Sequence, residues 1–161
     1  MDRKECLILD AVFKTETAIF NYRVAGIWIE NGHVLLHRAV NEENWSLPGG
    51  RVALLEESRE SIRREFLEEL GVDIHIDRLV WIGENFFEYR GKEFHEIGFY
   101  YMITSNHSLY CIEPFYGLEG DGLIYKWTPI SEIINMELYP RYLRTGLNNL
   151  PITTEHFVEK Q

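Results

Sequence analysis

An amphipathic helix that ends at a glycine is the most sharply defined element of this sequence. The apolar side chains of Ile62, Phe66 and Leu70 recur at every fourth position, and Gly71 follows directly. Because an α-helix has about 3.6 residues per turn, this spacing places the three side chains on one face. Glycine adopts the left-handed conformation that commonly ends a helix. The sequence therefore predicts a helix over residues 58–70 with one apolar face.

Apolar runs on either side of this helix predict strands. The pair Asn31-Gly32 separates two such runs, and both residues tolerate the positive φ of a tight turn, so a β-hairpin is predicted over about residues 24–37. Proline and two glycines predict an irregular turn over residues 45–50. Further strands are predicted at 79–82, 85–89, 94–103 and 123–127, with a turn at 90–92 and short helices after Pro129 and Pro140, the second running toward residue 148. The pattern indicates a mixed α/β domain.

Composition limits the classes of protein that fit. A chain of 161 residues, 45% of them hydrophobic, can form one domain with a sizeable core, which excludes a disordered chain. Its 16 Lys and Arg against 26 Asp and Glu argue against binding to long nucleic acids. No apolar run approaches the roughly 20 residues of a membrane span, and the two cysteines form no disulfide framework or metal-ligand spacing. We therefore expect a soluble, cytoplasmic protein with no membrane partner.

Three glutamates follow one side of the predicted helix. At 100° per residue, Glu65 and Glu69 lie about 40° apart around the axis and Glu68 lies about 60° from Glu65. Neighbouring like charges destabilise a helix by about 0.2–0.5 kcal/mol per pair, so something should compensate them. A hard divalent cation with oxygen ligands would do so, and a simple solvated acidic face is the alternative. The spacing alone leaves both interpretations open.

A longer pattern distinguishes between them. Gly50 is followed after five residues by Glu56, and after seven more by Arg-Glu-Phe-Leu-Glu-Glu-Leu-Gly-Val at residues 64–72. The chain matches every fixed position of G-x5-E-x7-R-E-U-x-E-E-x-G-U, the Nudix box, in which U is a bulky apolar residue. Fixed residues at roughly 6–7% usage each would match this pattern by chance on the order of once in 10⁸ starting points. On these residues the chain resembles a Nudix hydrolase.

The resemblance extends more weakly from about residue 21 to residue 156, through Trp-Ser-Leu-Pro-Gly at 45–49 and Trp-Thr-Pro-Ile at 127–130. It implies an α/β/α sandwich with a mixed β-sheet. We expect a single domain over residues 1–161, with its core at about 21–150 and an N-terminal extension at 1–20. The implied activity is hydrolysis of the diphosphate linkage of a nucleoside diphosphate derivative, by water attack at phosphorus, with Mg²⁺ or Mn²⁺ as the cofactor.

The resemblance also assigns roles to the residues of the box. Glu65 and Glu69 resemble the principal metal ligands, Glu68 a further or water-mediated ligand, and the Gly50 carbonyl a backbone ligand. Two further residues complete the expected catalytic set: Arg64, which orients a box carboxylate, and Glu56, which supports this network. A bound dication would neutralise phosphate oxygens, stabilise charge in the transition state and activate water.

The general base is not fixed by the resemblance, which allows a box glutamate or an acid on a later loop. Glu119 is the later acid that the glycine-rich segment 117–122 could best bring toward the metal, and an ordinary exposed loop acid is the alternative. Glu93 and Glu96 are rivals. Alternation along a strand would place Glu96 on the same face as Phe94, but does not say which face that is.

Substrate contacts are open as well. Tyr89, seventeen positions after Val72, resembles a tyrosine spacing associated with diadenosine polyphosphate hydrolases, and cross-strand packing is its alternative role. The remaining candidates are arginines that could meet a phosphate, namely Arg23, Arg38 and Arg51, with Arg51 nearest the box.

Two classes of function follow. The first is a metal-dependent pyrophosphohydrolase acting on a nucleotide sugar, a dinucleoside polyphosphate, ADP-ribose or a nucleoside triphosphate. The second is a non-catalytic sensor or interaction module that binds a nucleotide on the same fold. The presence of all the box acids favours the enzyme, and the acidic balance disfavours removal of RNA caps. Residues 2–20 are expected to add an edge strand or a dimer contact, and the resemblance makes a homodimer plausible.

Overall fold

Strands make up most of the chain, as its β-branched and aromatic segments predict. The computed structural model describes residues 8–161. Nine strands are present in that part of the chain: β1 (Val12–Lys14), β2 (Ala18–Glu30), β3 (His33–Ala39), β4 (Gly49–Arg51), β5 (His75–Tyr89), β6 (Lys92–Thr104), β7 (Phe115–Tyr116), β8 (Leu123–Pro129) and β9 (Glu155–Lys160). The helical segments are α1 (Ser58–Leu70), a 3₁₀-helix (Ile130–Asn135) and α2 (Leu143–Gly146).

The strands form a mixed sheet around the long strand β2. The order across the sheet is β7-β8-β3-β2-β6-β5-β9, and β1 and β4 also pair with β2. The pairs β2–β6 and β5–β9 are parallel, whereas the other pairs are antiparallel. The predicted mixed sheet is confirmed.

Helix α1 packs on one face of this sheet. Because side chains alternate along a strand, Val24 and Trp28 of β2 point to the same side, where they are buried in one cluster with Ile62 and Phe66 of α1. The helix ends as predicted, since Gly71 has φ 67° and donates its N–H to the carbonyl of Leu67. The apolar face of α1 therefore fixes the helix, and with it the glutamate face, against the centre of the sheet.

The opposite face of the sheet carries the other helical segments. Ala25 and Ile27 of β2 are buried there in a second cluster with Ile133 of the 3₁₀-helix and Leu143 of α2. Helical segments thus cover both faces, and the predicted sandwich is confirmed. The short helix predicted after Pro129 is present as the 3₁₀-helix, whereas α2 is shorter than predicted, since it begins at Leu143 and ends at Gly146.

The predicted hairpin is confirmed, with Asn31 at φ 49° and Gly32 at φ 73° between β2 and β3. Two other predictions are wrong in detail. Segments 79–82 and 85–89 belong to the single strand β5, because Gly83 continues the ladder opposite Gly98. The predicted irregular turn over residues 45–50 ends in the short strand β4, which pairs with β2.

The N-terminal extension contributes a strand at the edge of the sheet. Strand β1 pairs antiparallel with the first residues of β2, in agreement with the edge-strand alternative, the dimer contact stays a prediction, and residues 1–7 lie outside the described part of the chain. Among residues 8–161, no helix has the length and apolar character that a membrane crossing requires.

Candidate active site

The first residue of the box lies against the helix that the box forms. Gly50 of β4 is paired with Val24 of β2. A Cβ atom at Gly50 would lie 2.3 Å from Cδ of Glu65 and within 2.5 Å of both its carboxylate oxygens. Glycine at this position therefore makes room for the Glu65 carboxylate directly beside the backbone of β4.

Arg64 connects three of the box glutamates. Its Nε and Nη2 donate to Oε1 and Oε2 of Glu56 at 2.8 and 2.9 Å, a bidentate pair. Its Nη1 donates to Glu65 at 2.9 Å and to Glu68 at 3.3 Å. The hydrogen bonds that Glu56 accepts from Arg64 hold the pKa of Glu56 below its usual value and raise the pKa of Arg64. Arg64 therefore stays charged and fixes the orientation of Glu65.

Glu69 is the most buried of the three helix glutamates. The hydroxyl of Tyr125 on β8 donates to its Oε2 at 2.8 Å. Burial raises the pKa of Glu69 to about 7, the Tyr125 hydrogen bond opposes that rise, and the charges of Glu65 and Glu119 add to it. Burial also raises the pKa of Glu65, against the charge of Arg64. Two partly desolvated carboxylates that repel one another therefore lie on the sheet side of α1.

The loop that carries Glu119 packs on the C-terminal end of α1. The N–H of Leu118 donates to the carbonyl of Glu69 at 2.7 Å, and a small cavity of about 110 Å³ is bordered by Glu69, Glu119 and Tyr125. Glu119 itself is exposed to solvent. The structure thus brings the predicted loop acid beside Glu69.

The box glutamates offer the oxygen donors that a hard cation prefers. Glu65 and Glu69 lie near one another with raised pKa values, and the Glu65 carboxylate occupies the space that a side chain at Gly50 would fill. Glu68 is turned toward Arg64 at the exposed edge. In residues 8–161 no three acidic, histidine or cysteine side chains form a ready-made cluster for an ion. The box glutamate side chains therefore have the chemistry that a hard divalent cation with oxygen ligands requires.

Arg23 acts on the box carboxylates through its charge and also lines a large cavity. Its positive charge lowers the pKa of both Glu65 and Glu69, and its side chain lines a cavity of about 660 Å³. Arg51, which is paired with Arg23 across β4 and β2, lines the same cavity and forms an ion pair with Asp10 at 3.5 Å. Two arginines therefore line the cavity, and the charge of one of them, Arg23, acts on both carboxylates.

The other predicted residues fall into two groups. Tyr89 and Glu96 line the large cavity, Tyr89 at its rim, where its hydroxyl bonds to Glu42. Arg38 lies outside that cavity, because its guanidinium donates to the backbone carbonyls of residues 39, 40 and 42. Glu93 is exposed on the opposite face of β6 from Glu96.

Three polar residues of the site were not anticipated from the sequence: Tyr125, Asn21 and Asn85. Asn21 carried a weak signal, since it stands two residues from Arg23 in an otherwise apolar strand, on the same face. Tyr125 and Asn85 carried none, because their positions depend on how distant strands pair.

Comparisons with known proteins agree with this architecture. The NUDIX domain family matches residues 21–143. A MutT-like protein of Streptomyces ambofaciens is 32% identical over 72 residues, which are 44% of this chain and 47% of that protein, so the match spans about half of the relative. The MutT protein of Bacillus halodurans superposes with a TM-score of 0.58 at 18% identity, over 87% of this chain and 90% of that one. An ADP-ribose pyrophosphatase from Streptococcus suis superposes with a TM-score of 0.52 at 14% identity, over 86% and 98%.

The mixed sheet covered on both faces and the helix that carries the box are those of a Nudix domain. The chain belongs to the Nudix family.

Proposed function

We propose that the chain is a metal-dependent pyrophosphohydrolase that cleaves the diphosphate linkage of a nucleoside diphosphate derivative in the cytoplasm. The observation that carries this proposal is the pair of desolvated carboxylates, Glu65 beside Gly50 and the more buried Glu69, under the charge of Arg23, which also lines the large cavity. The candidate substrates are a nucleotide sugar, a dinucleoside polyphosphate, ADP-ribose and a nucleoside triphosphate.

Each charged residue of the site has a task in this reaction. Glu65, Glu69 and the Gly50 carbonyl would hold Mg²⁺ or Mn²⁺, with Glu68 contributing through water. The bound ion would supply charge neutralisation at the phosphate oxygens and a more acidic water. Arg64, held by Glu56, keeps Glu65 in place. Arg23 and Arg51 bind the diphosphate and stabilise the charge that develops when the bond breaks.

Glu119 is the general base that the arrangement favours. It borders the same small cavity as Glu69, and its loop is attached to α1 through the bond from Leu118. Because Glu119 is solvent-exposed, water can reach it and its proton can leave to bulk solvent.

The proposal is tested by metal-dependent turnover on a panel of the four substrate classes, with and without EDTA. We expect turnover of at least one class with Mg²⁺ and none with EDTA. Glu69→Gln should keep the fold and lose nearly all activity. Glu60→Gln is the matched control, because Glu60 is exposed on the first turn of α1 and pairs with Arg63 instead. Near-normal turnover by folded Glu69→Gln would contradict the proposal, and tight binding without turnover on any class would favour the nucleotide sensor.

A further inference from the structure

Three polar residues form a row across the floor of the large cavity. Asn21 of β2, Glu96 of β6 and Asn85 of β5 are directly paired in the strand register, Asn21 with Glu96 and Glu96 with Asn85. All three line the cavity and each is at most 7% exposed. A buried row of this kind is costly unless its hydrogen bonds are made.

The orientation of one end of this row is fixed. Nε of Arg51 donates to Oδ1 of Asn21 at 2.9 Å, and Nδ2 of Asn21 donates to Oε2 of Glu96 at 3.2 Å. Arg51 can only donate, so the amide of Asn21 must present its NH₂ group toward Glu96. The carboxylate of Glu96 has about four acceptor positions, of which Asn21 uses one.

The other end of the row lacks a partner. Oδ1 of Asn85 is buried without a hydrogen bond within residues 8–161, although Asn85 borders the cavity. A native protein seldom leaves such a group unpaired, so the amide is placed to bond with something that enters the cavity. Read across the sheet, the row offers a donor at Asn21, acceptors at Glu96 and an amide at Asn85.

The walls of the cavity favour a flat ligand. The rings of Phe87 and Phe94 stack with centroids 5.0 Å apart, and Tyr89 meets Phe94 edge-on at 6.0 Å. All three line the cavity together with Trp45. Arg23 stands two positions from Asn21 on β2, on the same face, and also lines the cavity, which at about 3.3 Å per residue places it roughly 7 Å along the strand. That separation leaves room for a sugar between a flat ring on the row and a diphosphate held by Arg23.

We propose that the row Asn21–Glu96–Asn85 binds the base of the substrate and selects a guanine-type base. This inference rests on the proposed function for the place of the diphosphate. Guanine presents a carbonyl acceptor followed by two adjacent N–H donors, the complement of a donor followed by acceptors. Adenine instead places a ring-nitrogen lone pair against the carboxylate of Glu96, which disfavours it.

Equilibrium binding without added metal tests this selection independently of turnover. Calorimetric titration in EDTA compares GDP, IDP and ADP, which differ only in the edge that faces the row. We expect GDP to bind about fivefold more tightly than IDP, which lacks the amino group, and more than tenfold more tightly than ADP. Equal affinity for GDP and ADP would overturn the inference.

Glu96→Gln identifies the residue responsible. The variant should weaken GDP binding about tenfold and leave ADP binding unchanged or stronger. Glu93→Gln is the matched control, since Glu93 lies on the same strand, exposed and outside the cavity, and it should change neither affinity. If Glu96→Gln weakened GDP and ADP equally, Glu96 would contact the sugar, and the inference would be wrong. Base selection without turnover would contradict the proposed function alone, whereas turnover without base selection would contradict this inference alone.

Discussion

At the scale of single residues, burial of the Glu69 side chain disfavours its ionised form. Burial raises its pKa to about 7 from 4.5, so between these values the folded chain binds more protons than the unfolded chain. The contribution of Glu69 to the free energy of unfolding should therefore fall as the pH rises from 4.5 to 7. In EDTA, Glu69→Gln should be more stable than the wild type above pH 7 by on the order of 2 kcal/mol, a difference that vanishes below pH 4.5. Urea unfolding at several pH values measures this, and identical pH slopes would contradict it.

Tyr125 is expected to position Glu69 through its hydrogen bond to that carboxylate. Tyr125→Phe removes the donor to Oε2 and keeps the ring, which stacks on Phe115 at 5.6 Å. Because that hydrogen bond favours the ionised carboxylate, its loss should raise the Mg²⁺ concentration for half-maximal turnover about fivefold and shift the pH profile upward. Tyr116→Phe, at an exposed tyrosine of β7, is the control and should shift neither. Equal metal dependence in the two variants would mean that Tyr125 only packs.

At the scale of elements, substitutions at two glycines test two different contacts between α1 and the sheet. Gly50→Ala would drive Cβ into the Glu65 carboxylate, the movable end of a side chain, so we expect at least a tenfold loss of turnover with little loss of stability. Gly26→Ala would place Cβ 2.7 Å from the buried ring of Phe66. It should cost about 1–3 kcal/mol of stability, measured by urea unfolding, because the core cannot yield as easily. Equal losses of stability in the two variants would contradict this division.

At the scale of the whole molecule, local signals predicted the elements that local interactions form. Helix α1 was predicted with its observed bounds because its apolar period and Gly71 act within a few residues. Strand β9 was missed, since Phe157 and Val158 are its only apolar residues and its partner β5 is far away in the sequence. The residues of the site also fall into a group that local spacing predicts and a group that it does not. The box glutamates follow from spacing within one helix, whereas the polar row exists only once three distant strands are paired.

The last strand contributes to the second core through Phe157. Phe157 of β9 is 7% exposed, stacks on Tyr142 with centroids 4.2 Å apart, and fills the space over Gly83. Phe157→Ala should cost about 3 kcal/mol. Val158→Ala, at the exposed neighbour on the same strand, is the control and should change stability by less than about 0.5 kcal/mol.

Both cores share strand β2, so they should unfold together. Trp28 lies in the core under α1 and Trp81 in the core beside Phe157. In Phe157→Ala, tryptophan fluorescence and far-ultraviolet circular dichroism should therefore shift to lower urea by the same amount and remain coincident. If the fluorescence transition split while the dichroism transition stayed in place, the two faces would be separate folding units, and the single domain predicted for this chain would be wrong.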